Sequence, residues 1–360
     1  MTLHNHPKKL LEDIAYNREK VLNVLPQAQY ALGLLEGSQK NLENPTLLIS
    51  PLLTKEATVS SKIEGTQSTV MDVFAYSGEG DAVHSDTREV WNYREAMHFS
   101  MRYLKEKKIS KSFIKQLHQL LLEGVRRNPG SVTGEFRLKD VWIGQEGCAI
   151  EEASYVPPEF FLLNDYMEDL IEYMSKSEDN SIIKSAIMHY QFEAVHPFDD
   201  GNGRIGRLLI PLIPLCDKQI SSPILYVSGY CEKNKDEYIK ALRSVDKTGD
   251  FTEWIIFFIK AVTIQLKETQ VLIDSIYALF ADIKKESASS NYRYDLDFID
   301  FIFKKPIFTL SDITKEIGMS RITAKNLVNN FIEKKYLVET GFLKKRSKVY
   351  SFDKLINLLS

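Results

Sequence analysis

His196-Pro-Phe-Asp-Asp-Gly-Asn-Gly-Arg-Ile-Gly-Arg207 is the stretch from which the fold and the chemistry of this 360-residue chain are read. Before it, Ile182–Val195 carries apolar residues at helical spacing. Pro197 lacks an N–H and steers His196 out of helical geometry, which ends that helix. After it, Leu208-Leu-Ile resumes an apolar helical run, so the glycines and Asn202 occupy a tight loop opening the next helix. Backbone N–H groups in such a loop form an anion nest strengthened by the helix dipole. Arg204 and Arg207, three apart, project from one side of the first turn and suit bidentate contact with phosphate. Asp200 offers a hard oxygen of the kind Mg²⁺ on a nucleotide takes from one or two carboxylates. His196 is the group here that accepts a proton near neutral pH. These residues describe a site for a triphosphate and a hydroxyl nucleophile.

Other readings of the segment are weaker. Asp-Gly-Asn-Gly is by itself a turn. A calcium loop would need later ligands, including a glutamate at the twelfth position, that are missing. His189, Glu193 and His196 suggest zinc, but seven residues separate the histidines, unlike an i, i+4 ligand pair.

Outward from the loop, helical periodicity dominates: Phe160–Met174, Ile182–Val195 and Trp254–Ile283 read as helices, and strand signals are few. A chain 44% hydrophobic and 26% charged is a globular protein and not a disordered, collagenous or coiled-coil one. Its three cysteines, Cys148, Cys216 and Cys231, show no CxxC spacing, which excludes a disulfide framework or common structural zinc site and suits a reducing cytoplasm. The most apolar stretches, Leu208–Cys216 and Trp254–Val262, fall short of the roughly 20 residues of a membrane span, and no secretory signal is read at the N-terminus. Net charge is −3 overall, yet Lys304–Lys354 carries 12 Lys+Arg against 5 Asp+Glu, a basic appendage on an acidic body.

The segment resembles the signature of the Fic family, H-P-F-x-[D/E]-G-N-G-R-x-x-R, matching every specified position. By that resemblance His196 is the general base, Asp200 holds Mg²⁺ on the α- and β-phosphates, and Gly201, Asn202 and Gly203 form the anion hole. Arg204 and Arg207 bind the β- and γ-phosphates, and Ile205 and Gly206 complete the ATP-binding loop. The implied reaction is transfer of AMP from ATP to a Ser, Thr or Tyr hydroxyl of a protein, which could be this chain itself.

Ser60-Ser-Lys-Ile-Glu-Gly65 lies in a helical-looking run, Leu52–Phe74, with Ser60 and Glu64 on one face. Taken alone, Glu64 is an ordinary solvated surface charge. In the family, [S/T]-x-x-x-E-[G/N] marks an inhibitory helix, which implies that Glu64, beside Ser60, pairs with Arg207 and blocks the γ-phosphate. In some relatives this glutamate instead positions water to remove AMP. Phe136–Gly144 with Ala153–Pro158 resembles the family's β-hairpin flap, which holds a target by strand addition. Tyr238 sits where relatives border the base and offers an aromatic face to adenine, although Ile239 replaces the second aromatic that relatives often carry.

In the tail, Leu296–Phe303 reads as a helix, Thr309–Asp312 opens a second that ends at Gly318, and Ser320 caps a third, Arg321–Lys335. Two short strands, at Tyr336–Val338 and Lys348–Phe352, flank a turn around Gly341. The pattern resembles a winged helix. Arg321, Thr323, Lys325 and Asn326 on its third helix and Lys344–Arg346 on the wing would face DNA; a protein-docking or dimer-forming domain fits equally.

The expected fold is thus mainly α, an all-helical Fic core with a β-hairpin flap plus a small C-terminal winged helix-turn-helix domain. Residues 1–110 form an N-terminal helical region with the inhibitory helix, 111–283 the catalytic core, 284–294 a linker and 295–360 the winged helix. Softer breaks fall at Gly78–Asp81 and Gly124–Gly134. The expected activity is that of an autoinhibited protein adenylyltransferase using ATP and Mg²⁺ in the cytoplasm. The alternatives are transfer of another phosphate-containing group, AMP removal, or a nucleotide-sensing DNA-binding regulator. Partners are a protein hydroxyl, a second copy in a homodimer, or DNA, and no membrane.

Overall fold

The structure is a computed structural model that describes residues 4–11, 14–40, 46–76, 85–125, 132–145, 147–287, 295–344 and 346–360. The break expected at Gly78–Asp81, residues 126–131 of the second break, 288–294 of the linker and Lys345 of the wing lie outside them.

The body is helical: α1 (Arg18–Lys40), α2 (Thr46–Ile63), α3 (Val70–Ala75), α4 (Ser85–Tyr103), α5 (Lys111–Leu121), α6 (Leu163–Lys176), α7 (Ser181–Val195), α8 (Asn202–Leu209), α9 (Leu212–Cys216), α10 (Ser228–Lys233), α11 (Lys235–Thr248) and α12 (Thr252–Ser287). At its centre is α7, buried along its whole length except at half-buried Glu193. A helix apolar on every side must be surrounded, and α6, α8, α9 and α12 pack around it. Fully buried Trp254 on α12 donates its indole N–H to Ala186 O on α7 at 2.7 Å. At 36 residues, α12 is about 54 Å long. It carries α1 along its flank and extends to Ser287, so 284–287 of the expected linker are helical.

Two expectations are refined. Leu52–Phe74 is not one helix. Helix α2 stops at Ile63, where Gly65 turns to φ +99° and Thr66 N reaches back to Ser61 O at 3.3 Å, a glycine-closed terminus. Helix α3 then restarts behind a Thr69–Asp72 capping box. The flap is a loop closed by a single antiparallel bridge, Ile143 to Tyr155, rather than a two-stranded hairpin.

The C-terminal region runs α13 (Asp295–Lys304), β1 (Ile307–Thr309), α14 (Leu310–Ile317), α15 (Arg321–Glu333), β2 (Val338–Lys344), β3 (Ser347–Ser351) and α16 (Asp353–Leu359). Its antiparallel sheet has the order β1-β3-β2. Thr309 and Asp312 form the capping box, Gly318 ends α14 in the left-handed region and Ser320 caps α15. Gly341 lies inside β2 instead of at its turn. Its φ of +76° accommodates the register shift between Glu339 and Leu343, a bulge that bends the strand. These elements rest on the body: α13 packs on α2 and α12, and α16 on α12, α2 and α3.

Candidate active site

The loop hangs between two buried helices. His196 ends α7 in the left-handed region at φ +50°, and Gly201, at φ +78°, opens α8. Asn202 clamps the loop from inside: its Oδ1 accepts from Phe198 N at 2.9 Å and its Nδ2 donates to Phe198 O at 2.8 Å. Both amide functions are thereby satisfied in a buried position, which fixes the curvature of the turn.

His196 faces a cavity of about 540 Å³ that Glu64, Gly203, Arg207, Trp142 and Tyr238 also line. Its Nδ1 lies 3.3 Å from Glu193 O. A protonated Nδ1 donating to that carbonyl leaves Nε2 with the free lone pair. Burial, assisted by the Arg137 charge, pushes its pKa down to about 4, so the ring is neutral near pH 7.

Arg207 is held by three acceptors. Its Nε donates to Ser60 Oγ at 2.9 Å, and its Nη2 donates to Ser60 O at 2.9 Å and to Glu64 Oε1 at 2.5 Å. Burial opposes both charges, but the attraction between them outweighs it: Glu64 is held below the usual carboxylate range and Arg207 above its own. Arg204 is paired with Glu89 and lies 3.3 Å from Asp200 Oδ1. A Cβ on Gly203 would stand 2.3 Å from Glu64 Oε1, and one on Gly206 2.4 Å from Glu193 Oε1. Both glycines therefore give room to carboxylates. Ile205 is fully buried in the core, leaving only its backbone near the loop surface.

Asp200 Oδ1 accepts from Gly201 N at 2.6 Å and faces Arg204, so Oδ2 remains open on a side chain 43% exposed. One open hard oxygen fits a Mg²⁺ that arrives with nucleotide phosphates supplying the other ligands. Among the described residues no group of three or more His, Cys, Asp or Glu could hold a metal.

Tyr238 is 6% exposed. Its hydroxyl hydrogen-bonds His189 Nε2 at 2.8 Å, and its ring packs against His189, Trp254 and Phe257. It forms part of the cavity floor. His189 is neutral because burial lowers its pKa to about 3, and burial raises that of Glu193 to about 8.

Four supporting residues were not legible as such. His118 on α5 stacks on Phe198 at 3.8 Å, reaches Asp200 O at 3.0 Å and accepts from Gly134 N at 2.8 Å. Glu89 on α4 neutralises Arg204. Arg137 donates to His196 O at 2.9 Å and to Pro158 O at 2.6 Å, tying the flap to the 196–207 turn. Lys235 caps α2 by donating to Ile63 O at 3.0 Å, next to Glu64. None has a local signature, because each acts on a segment distant in sequence.

Fold and loop together define a Fic-type protein, a glycine-rich turn set between buried helices. The chain belongs to the Fic/DOC family: its N-terminal family model matches residues 22–102 and its Fic model residues 108–213, together just over half of the chain. A protein of Aquifex aeolicus named "Probable protein adenylyltransferase aq_aa38" is 27% identical over 144 residues, 40% of this chain and 39% of that protein. "Protein adenylyltransferase fic-1" of Caenorhabditis elegans is 30% identical over 124 residues, 32% of this chain and 23% of that one. The chain thus spans two fifths or less of the curated relatives named here. A Fic family protein from Desulfovibrio desulfuricans shares the fold, with a TM-score of 0.60, 21% identity, 94% of this chain and 98% of that one covered. Among the described residues no helix is long and apolar enough to cross a membrane.

Proposed function

We propose that this chain is a protein adenylyltransferase held in check by Glu64. The observation that carries the reading is the convergence on one cavity of a neutral His196, Gly203 of the turn and an Arg207 occupied by Ser60 and Glu64. The names of the relatives support the class of reaction.

In the proposed reaction His196 Nε2 takes the proton of a Ser, Thr or Tyr hydroxyl. The hydroxyl oxygen then bonds to the α-phosphorus of ATP, the bond to the bridging oxygen of the β-phosphate breaks, and pyrophosphate leaves. The N–H groups of the turn and the arginines stabilise the developing charge. Asp200 Oδ2 would hold a Mg²⁺, which supplies charge neutralisation on the phosphates. With Glu64 in place, the Arg207 fork is filled, and the γ-phosphate meets a carboxylate where it needs a cation. Release of that carboxylate is the activating event.

Label transfer from α- and γ-labelled ATP, with Mg²⁺, tests the reading. Label from the α position only, strongest in Glu64→Gly and absent in His196→Ala, is expected. Label from γ, or equal transfer by wild type and Glu64→Gly, overturns the donor chemistry or the brake respectively.

A second activity is proposed for the C-terminal elements, as a winged helix that contacts DNA through the exposed Arg321, Lys325 and Asn326 on α15 and Arg346 beside β2. The supporting observation is the sheet order β1-β3-β2 beside three helices. Arg321→Glu with Lys325→Glu should abolish retention of a labelled duplex at low salt; unchanged retention refutes this contact surface.

A further inference from the structure

Helix α2 ends at Ile63, one residue short of Glu64, so the regular helix does not itself fix where that carboxylate stands. The turn that carries it bonds within itself, Glu64 N to Ser61 O and Gly65 N to Lys62 O, each at 3.0 Å. Outside α2, the α10 helix and the first turn of α11 run beside its second half and meet it at three places. Ser228 Oγ donates to Glu56, Glu232 pairs with Lys62 at 2.9 Å, and Lys235 Nζ donates to Ile63 O at 3.0 Å. The three contacts differ in what they hold. Glu56 is buried two turns before Glu64. The Lys62 side chain is 60% exposed, and an ion pair in water contributes little. The Lys235 contact falls on the residue next to Glu64, at a carbonyl that a helix end leaves without an intrahelical partner. Of Ser228, Glu232 and Lys235, it is Lys235 that also forms part of the cavity wall around His196 and Arg207.

A cationic donor at a helix C-terminus favours the closed end twice, through the hydrogen bond to the last carbonyl and through the negative end of the helix dipole. We propose that Lys235 is the latch of the Glu64 turn: by holding Ile63 O it keeps the carboxylate on Arg207, and so sets how strongly the turn resists a γ-phosphate. This inference rests on the reading of Glu64 as a brake. Lys235 acts through Ile63 and is a positioning residue. Without its ammonium, Ile63 O turns to water while Arg207 keeps its bonds to Ser60 Oγ and Ser60 O. Loss of the latch therefore loosens the carboxylate and leaves α2 in place.

Calorimetric titration of a non-hydrolysable ATP analogue and of ADP, each with Mg²⁺, into wild type, Lys235→Met and Lys235→Arg tests the latch. Lys235→Met in a Glu64→Ala background completes the cycle. Lys235→Met should bind the analogue about fivefold more tightly than wild type, the weight of one part-buried hydrogen bond from a charged donor. ADP, which has no γ-phosphate, should bind the two equally, a selectivity that a general loosening of the fold would not produce. Lys235→Arg keeps a cationic donor and should bind like wild type. In Glu64→Ala, the change to Met should add nothing. Equal analogue affinity in wild type and Lys235→Met, with Glu64→Ala tighter than either, overturns the latch and leaves the brake standing. Weaker binding by Lys235→Met in both backgrounds makes Lys235 a direct ligand of the nucleotide and also overturns it. If Glu64→Ala binds the analogue no more tightly than wild type, the brake itself fails and the latch falls with it.

Discussion

Replacing Glu64 with alanine should make the protein less stable by itself and more responsive to nucleotide. Arg207 has a side chain 2% exposed, while that of Glu64 is 38% exposed. One-sided rupture of a fully buried pair costs about 3–5 kcal/mol, and an exposed pair contributes under about 1 kcal/mol. A carboxylate that water reaches over more than a third of its surface, facing a cation that water does not reach, lies between: about 1–2 kcal/mol. Arg207 keeps its bonds to Ser60 Oγ and Ser60 O, which argues for the lower end. In a chain of this length that is a fall in melting temperature of roughly 1–3 °C. A γ-phosphate in the vacated position supplies the missing anion, so a non-hydrolysable ATP analogue with Mg²⁺ should raise the variant's midpoint by more than that of wild type. Thermal melts of both proteins across an analogue titration measure this without knowledge of the protein target. Equal rises in the two proteins would refute the competition between carboxylate and phosphate, and an unchanged midpoint without nucleotide would refute the energetic weight given to the pair.

Further outcomes follow from the same geometry. Gly203→Ala should destabilise wild type by about 1–2 kcal/mol through overlap with Glu64 Oε1, and by markedly less in a Glu64→Ala background; additive losses in the double-mutant cycle would disprove the clash. His118→Ala removes a stacked ring and two hydrogen bonds that hold the loop, so chemical denaturation should show a loss of about 2–4 kcal/mol. Because burial lowers the His196 pKa to about 4, AMP transfer by Glu64→Gly should stay level from pH 8 to about 5 and fall only below that. A rate that halves near pH 6.5 would contradict a ring held neutral. Neutral His189, its pKa lowered to about 3, takes up a proton more readily when unfolded. Between about 3 and 6.5 the unfolded chain therefore binds the extra proton, and the stability from this group is lost as pH falls through that window. His189→Gln should flatten the acid limb of the melting curve.

The 196–207 turn was readable because its parts are contiguous: a helix end, a proline, glycines and two arginines lie within twelve residues, and each imposes a local geometry. Ser60 and Glu64 were readable as neighbours for the same reason, although Glu64 lies in the turn just past the end of α2 and not on the helix proper. Thr309, Gly318 and Ser320 carry their own signatures, so α14 begins and ends, and α15 begins, where sequence places them, whereas α16 has no such signature and was not read. What sequence could not display is contact across the fold. His118, Glu89, Arg137 and Lys235 have no periodicity that tells of Asp200, Arg204, His196 or Ile63. Gly341 shows a related limit: a positive φ serves a turn or a bulge equally well, and strand pairing decides between them.

Helix α2, about 27 Å long, carries Pro51 in its second turn. Ser50 near its start touches the end of α13, and Ser60 near its finish grips Arg207. If Glu64 acts as the proposed brake, its local concentration is set by covalent geometry, so diluting the protein would not release it and incoming nucleotide would compete with an occupant that never diffuses away. Under the proposed reading, a displacement of α2 at its contact with α13 would be felt at the Ser60–Arg207 contact, because one helix carries both.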